Sequence, residues 1–227
     1  MNRKNLLSVR LKSCFLALVM AMSAMVSAQE KTYTLQDINI RDPYILPVQK
    51  EGTYYMYASS SVRENGQTYG GMIAYKSRDL KRWEGPVRVF DVPRDNWITG
   101  TVWAPEVHQY KGKYYLFGTL NSDIVWKAPE KGHPAYLHRA TQIFWSKKPE
   151  GPFLPFENKH PHTPLGQMCL DGTLWVEDGV PYMIYCHEWV EMGDGTMEMV
   201  QLKKDLSATV GQPMRLFNAS AAEWSTG

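Results

Sequence analysis

Apolar and aromatic residues recur at every second position in short runs along most of this chain, and Gly, Pro, Asn and Asp break the runs. Alternation with period two over about four to eight residues predicts β-strands, and helical periodicity is nearly absent beyond residue 28. A longer period overlies the short one. KEGTYYMYASSS is followed by GMIAYKSRDLKRWEGPVRVF, YKGKYYLFGTLNS by TQIFWSKKPEGPFLPF, and EDGVPYMIYCHEW by MEMVQLKKDLSATVGQPMRLF. The turn glycines are Gly52, Gly112 and Gly179, 60 and 67 residues apart. Each precedes an aromatic-apolar strand (Tyr54–Tyr57, Tyr114–Phe117, Tyr182–Tyr185). A third strand follows, then a Gly-Pro or Gln-Pro turn and a last short strand.

Four antiparallel strands per repeat predict an all-β chain built as a β-propeller, with blades near 38–95, 96–160 and 161–220. A propeller closes with roughly four to eight blades. The three repeats therefore read as an incomplete propeller, formed by residues 29–227. An open three-repeat structure, the alternative, would expose a large apolar face.

Residues 1–28 read differently. Arg3, Lys4, Arg10 and Lys12 precede an apolar run from Cys14 to Val26, and Val26-Ser27-Ala28 supplies small residues for cleavage. This is the pattern of a secretory signal peptide, shorter than a membrane span, and it implies a secreted or periplasmic protein. The whole chain has 25 basic and 23 acidic residues, and the leader holds four of the basic ones. What remains is slightly acidic and has no charge run, which argues against nucleic acid or a membrane surface as partner. Cys169 and Cys186 remain after the leader, as two buried thiols or as a bridge across paired strands.

Each repeat opens its first strand with candidate chemistry: Arg41-Asp42-Pro43, Trp103-Ala104-Pro105-Glu106 and Leu170-Asp171-Gly172. In a propeller such strand heads surround the central channel, so Asp42, Glu106 and Asp171 are expected to converge on one funnel. Converging carboxylates suit glycoside hydrolysis. One activates water while a protonated acid serves the leaving oxygen, with the pair ~6.5–9.5 Å apart in inverting enzymes. A further carboxylate raises the acid's pKa by like-charge repulsion. Taken singly, the same residues can be turn formers or rim ion pairs, with Arg41 simply neutralising Asp42. Tyr44, Trp97, Trp103, Trp189 and Trp224 are expected near the funnel, with Trp103 touching ligand. Trp83, Trp126, Trp145 and Trp175 are expected to pack.

RDPYIL, WAPEV, YKGKYYLFGT and LDGTLWVEDGVPYMIY, in this order from about residue 38 onward, resemble glycoside hydrolase family 43, the five-bladed arabinofuranosidases, arabinanases and β-xylosidases. The resemblance implies inverting hydrolysis of α-L-arabinofuranosyl or β-D-xylosyl linkages in plant polysaccharide. It matches Asp42 to the general base and Asp171 to the residue that tunes and orients the acid. It puts the acid itself at the head of a fourth blade, past Gly227. Within the chain, Glu188 and Glu223 are the candidates for that role. His187, Arg41, Trp103 and Glu106 are candidates for substrate binding. No cofactor is required, although some relatives hold calcium in the central channel, which needs several oxygen ligands. Two other readings stay open. One is a propeller that grips carbohydrate without cleaving it. The other is a retaining fructan- or sucrose-cleaving propeller, whose Asn-Asp-Pro is replaced here by Arg-Asp-Pro.

Overall fold

The computed structural model describes residues 31–222. The expected leader, and with it Glu223 and Trp224, lies outside the described residues. Among the described residues, thirteen strands form three antiparallel sheets. Sheet I holds β1 (Thr32–Tyr33), β2 (Tyr44–Val48), β3 (Thr53–Glu64), β4 (Gln67–Ser77) and β5 (Trp83–Asp91), in the order β1-β5-β4-β3-β2. Sheet II holds β6 (Thr101–Tyr110), β7 (Lys113–Lys127), β8 (Tyr136–Ser146) and β9 (Leu154–Pro155), and sheet III holds β10 (Cys169–Glu177), β11 (Val180–His187), β12 (Thr196–Leu202) and β13 (Thr209–Asn218), both in chain order. A single helical turn, α1 (Trp189–Met192), follows β11.

Short turns set the register. Asn65-Gly66, Lys111-Gly112 and Asp178-Gly179 each put two consecutive residues at positive φ between paired strands. That geometry matches the right-handed twist of the flanking strands, and glycine adopts it without a Cβ penalty. The prolines behave differently from the turn reading. Gly85-Pro86 lies inside β5 and Gln212-Pro213 inside β13. Both sit where the pairing register slips, between Ala74 and Lys76 and between Met199 and Gln201. A bulge near a sheet edge accepts a residue that has no N–H to donate.

Packing follows from the two faces of each strand. On β7, Tyr114, Leu116 and Leu120 enter a core shared with sheet I, while Tyr115 and Phe117 enter a core shared with sheet III. On β8, Phe144 and Ile143 divide in the same way. Sheet II is therefore buried on both faces, and each fully buried Leu, Ile or Phe there contributes about 1.5–3 kcal/mol. The outer face of sheet I is covered by its own N-terminal segment, with Tyr33, Ile38 and Ile40 against Met56, Tyr75 and Trp83. The face of sheet III turned away from sheet II differs. It carries Trp175, Met214 and Phe217, 50%, 54% and 52% exposed. Trp175 thus lies open rather than packed among the described residues.

Cys169 and Cys186 are free. Cys169 pairs with His187 and Cys186 with Leu170, so the two cysteines are diagonal neighbours of opposite parity and their side chains leave opposite faces of the sheet.

One buried hydrogen bond ties sheet I to the turn after β8. The Tyr57 hydroxyl donates to the Pro149 carbonyl at 2.8 Å. Tyr57→Phe leaves that carbonyl without its partner, which is expected to lower the free energy of unfolding by about 1–2 kcal/mol. Urea denaturation of wild type and variant measures this, and an unchanged midpoint would count against the bond as a link between the sheets.

Candidate active site

The strands β2, β6 and β10, one from each sheet, begin alike. Asp42, Ala104 and Asp171 all adopt left-handed backbone conformations, with φ of 48°, 37° and 54°. Aspartate tolerates this region because its short polar side chain bonds locally, whereas alanine there carries strain of order 1–3 kcal/mol. These are the equivalent positions of the three sheets. Two residues on, Tyr44, Glu106 and Thr173 begin or resume the ladder, opposite Tyr57, Phe117 and Ile184. The expected threefold recurrence of an acid therefore holds for two heads. Sheet II puts Ala104 at the equivalent place, and Glu106 lies two residues further along because a bulge separates it from Trp103.

Each head contributes a dipeptide to one hollow of about 590 Å³: Arg41-Asp42, Trp103-Ala104 and Leu170-Asp171. Ser59, Ser60 and Ser61 of β3 and Thr101 of β6 complete much of the wall. Asp42 is half exposed, and its Oδ2 lies 3.1 Å from Nε of the outward-reaching Arg41. Trp103 is 39% exposed.

Asp171 is held by sheet II. Its N–H donates to Thr119 Oγ1 at 2.8 Å, and the Gly172 N–H donates to Thr141 Oγ1 at 3.1 Å. The bulge in β10 takes these two donors out of the ladder, and the threonine hydroxyls satisfy them. A Cβ on Gly172 would come within 2.6 Å of Thr141 Cγ2, so glycine lets the sheets approach. Asp171 opens onto the hollow, but its carboxyl is crowded by protein. This desolvation, followed by the charges of Asp42, Glu106 and Glu188, pushes its pKa above the ordinary carboxylate value, with the Thr119 contact opposing.

Three other candidates have internal partners. Glu106 is partly buried, which by itself would raise its pKa. Its bonds with His108 Nε2 (2.9 Å) and the Thr173 hydroxyl (2.7 Å) outweigh that and hold it below the usual range. Glu106 sits one step below the hollow, beside Tyr44, and does not line it. Glu188 forms an ion pair with Arg139, and both side chains are largely buried. The Arg139 guanidinium engages the Glu188 carboxylate, and Glu188 does not line the hollow. His187 is buried between Glu191 (2.9 Å) and Glu198 (3.4 Å) and does not line the hollow.

Arg139 is the main residue that sequence reasoning missed. It reaches from β8 to Glu188 of the next sheet, donates through Nε to Asn121 Oδ1 at 2.7 Å, and lies under the Trp103 ring, 4.2 Å from its centroid. It thus fixes an exposed indole at the rim. Thr119 and Thr141 were missed as well. Among the described residues no group of three or more His, Cys, Asp or Glu side chains is placed to hold a metal ion.

The raised Asp171 pKa has a consequence for stability. Between the ordinary carboxylate pKa near ~4 and the raised native value, the folded state binds more proton than the unfolded state, so this group's contribution to stability falls as pH rises. Asp171→Asn removes that loss. The variant is expected to melt at a higher temperature than wild type at pH 7.5 and at the same temperature at pH 3, where both side chains are neutral. Equal shifts at both pH values in thermal unfolding would rule out the electrostatic cause.

Residues 36–227 match the model of glycosyl hydrolases family 43. Xylosidase/arabinosidase 43A of Humicola insolens is 27% identical over 154 residues, 61% of this chain and 41% of that protein. An endo-arabinase structure from Bacteroides thetaiotaomicron VPI-5482 is 36% identical, with a TM-score of 0.67 over 82% of this chain and 59% of the other. The structure of a thermostable family-43 glycoside hydrolase is 25% identical, with a TM-score of 0.62 over 82% of this chain and 56% of the other. The chain therefore spans less than two thirds of the length of each of these relatives. With its three antiparallel sheets and a family match from residue 36 onward, the chain belongs to glycosyl hydrolases family 43.

Proposed function

We propose that this chain carries the base side of an inverting glycoside hydrolase that acts on α-L-arabinofuranosyl or β-D-xylosyl linkages of plant polysaccharide outside the cytoplasm. The observation that carries the reading is the meeting of Asp42 and Asp171 in one hollow beside Trp103. Asp42, open to water, acts as general base on the attacking water. Asp171, crowded by negative charge, tunes and orients the proton donor. Trp103 offers an apolar face to the sugar ring, held from beneath by Arg139.

The proton donor is assigned to a further sheet. In this proposal the three sheets are consecutive blades of a five-bladed ring, and the next blade covers the apolar face of sheet III that carries Trp175, Met214 and Phe217. A contiguous exposed apolar face of this kind argues for a cover. The relatives named as arabinase and as xylosidase/arabinosidase support the choice of pentose polymers.

A second reading is favoured by one observation. Glu188 is tied to Arg139, so no free acid accompanies Asp42 and Asp171 among the described residues that line the hollow. On that reading the hollow binds carbohydrate without cleaving it.

Asp42→Asn separates the two. The hydrolase reading expects release of reducing sugar from arabinan or xylan to fall by about 10²–10⁴-fold while oligosaccharide binding persists, since the variant removes the base and little volume. Turnover retained in the variant would sink the assignment of the base. Assayed on a protein that includes the further sheet, wild type that binds the oligosaccharides but releases no sugar would establish the binding reading.

A further inference from the structure

β9 is too short to cover its neighbour. It pairs Leu154 with Trp145 and Pro155 with Phe144, which leaves the outer edge of β8 at Thr141 and Ile143 beyond its reach. The connection from β9 to β10 fills that edge with two buried polar residues, His162 and Thr163. The His162 N–H donates to the Thr141 carbonyl at 2.8 Å, and the Thr141 N–H donates to Thr163 Oγ1 at 3.1 Å. The Ile143 N–H donates to His162 Nδ1, also at 3.1 Å. Every one of these main-chain groups needs a partner once it is buried.

The last contact fixes the state of the imidazole. A ring nitrogen that accepts a hydrogen bond carries no proton, so His162 is neutral with its proton on Nε2. That Nε2–H donates to the Leu206 carbonyl at 3.1 Å. Leu206 lies in the turn between β12 and β13, so one ring joins the edge of sheet II to sheet III. A proton added at Nδ1 would set a donor against the Ile143 N–H, inside a site where His162 is 6% exposed. Burial accordingly holds its pKa down to about 4, against the opposing main-chain contacts with Leu206 and Ser207. Lys203, Lys204 and Asp205 on the Leu206 turn are exposed, and Asp205 bonds to Ser207. On its own connection Glu157 and His160 are exposed and Lys159 pairs with Asp95, while Arg139 of β8 pairs with Glu188.

Thr141 carries this latch to the hollow. Its hydroxyl accepts the Gly172 N–H at 3.1 Å, and its Cγ2 would stand 2.6 Å from a Cβ at that glycine. The bulge that presents Asp171 therefore rests, without slack, on the stretch of β8 that His162 holds.

We propose that His162 is a positioning residue for Asp171 and an acid-sensitive latch: neutral, it locks Thr141 and Ile143 to sheet III, and protonated, it releases them and loosens the Asp171-Gly172 bulge. The inference goes beyond the hydrolase reading and needs only the placement of Asp171, so it holds whether sugar is cleaved or only bound. The sign follows from proton binding. Between the lowered native pKa and the ordinary value near ~6.5, the released state binds more proton than the latched state. The latch is thus fully effective above pH ~6.5 and weakens as pH falls toward the native pKa.

Two measurements on the full protein test this. Nitrogen-15 NMR of the imidazole needs no variant, and it is expected to show the Nε2–H tautomer at pH 7 and titration well below the ordinary value. The Nδ1–H tautomer, or titration near ~6.5, would overturn the latch. Amide hydrogen exchange reads its release, in the Asp171→Asn background so that no carboxyl titrates at that position. Protection of the Gly172 amide, corrected for intrinsic exchange, is expected to fall at least about tenfold from pH 7 to pH 4.5, while the Met56 amide in sheet I keeps its protection. Adding His162→Asn, whose Oδ1 still accepts from Ile143 but takes no proton, should keep Gly172 protection level across that range. An equal fall with and without His162→Asn, no fall in either, or a matching fall at Met56 would each overturn the proposal.

Discussion

The side chains of β7 point alternately to two neighbouring sheets, and the position of every group in the hollow follows from this. Leu116 and Leu120 close the core toward sheet I, and Tyr115 and Phe117 close the one toward sheet III. A strand buried on both faces cannot slip by one residue without exchanging the two cores, so its register is strongly set. The sheets on either side are fixed with it. Asp42 arrives from sheet I and Asp171 from sheet III, flanking the head of β6. There Ala104, with the smallest side chain that still has a Cβ, leaves the space between them open.

The same constraint explains the strained heads. Where the innermost strand turns toward the hollow, its N–H groups leave the ladder, and an unpaired buried donor is costly. Sheet II answers this for Asp171 and Gly172 with the hydroxyls of Thr119 and Thr141. The carboxyl of Asp171 is thereby oriented by backbone contacts to a different sheet, and its surroundings are set by packing rather than by its own strand. Three acids from three sheets then act on it through space, and its raised pKa reflects the assembly.

This division between local and long-range causes also separates what the sequence made legible from what it did not. The turn glycines, the aromatic strands and the threefold repeat are local patterns, and they predict the three antiparallel sheets. That Asp42 and Asp171 line one hollow was legible because each sits at the head of a repeat. Glu106 misled because a recurrence counted along the chain ignores a bulge, and here the bulge moves the acid two residues past the equivalent position. Gly85-Pro86 misled in the opposite sense, since a turn signal near a sheet edge can sit inside a bulged strand. Arg139 had no local signal at all. It lies within an ordinary third strand, and its importance comes from Asn121, Trp103 and Glu188, the last of them 49 residues away on another sheet. Pairings of that kind cannot be inferred from spacing alone.

Four carboxylates influence the hollow, and exposure alone does not sort them. Glu106 is committed to His108 and Thr173, and Glu188 to Arg139. Both have interior partners, and neither lines the hollow. Asp42 has only the outward Arg41 beside it, and that contact is solvent-exposed and therefore weak. Asp171 has its backbone anchored and its carboxyl facing the other charges. The two acids that line the hollow are thus the two lacking strong side-chain partners. A committed carboxylate nearby still matters, because the charges of Glu106 and Glu188 help to raise the Asp171 pKa.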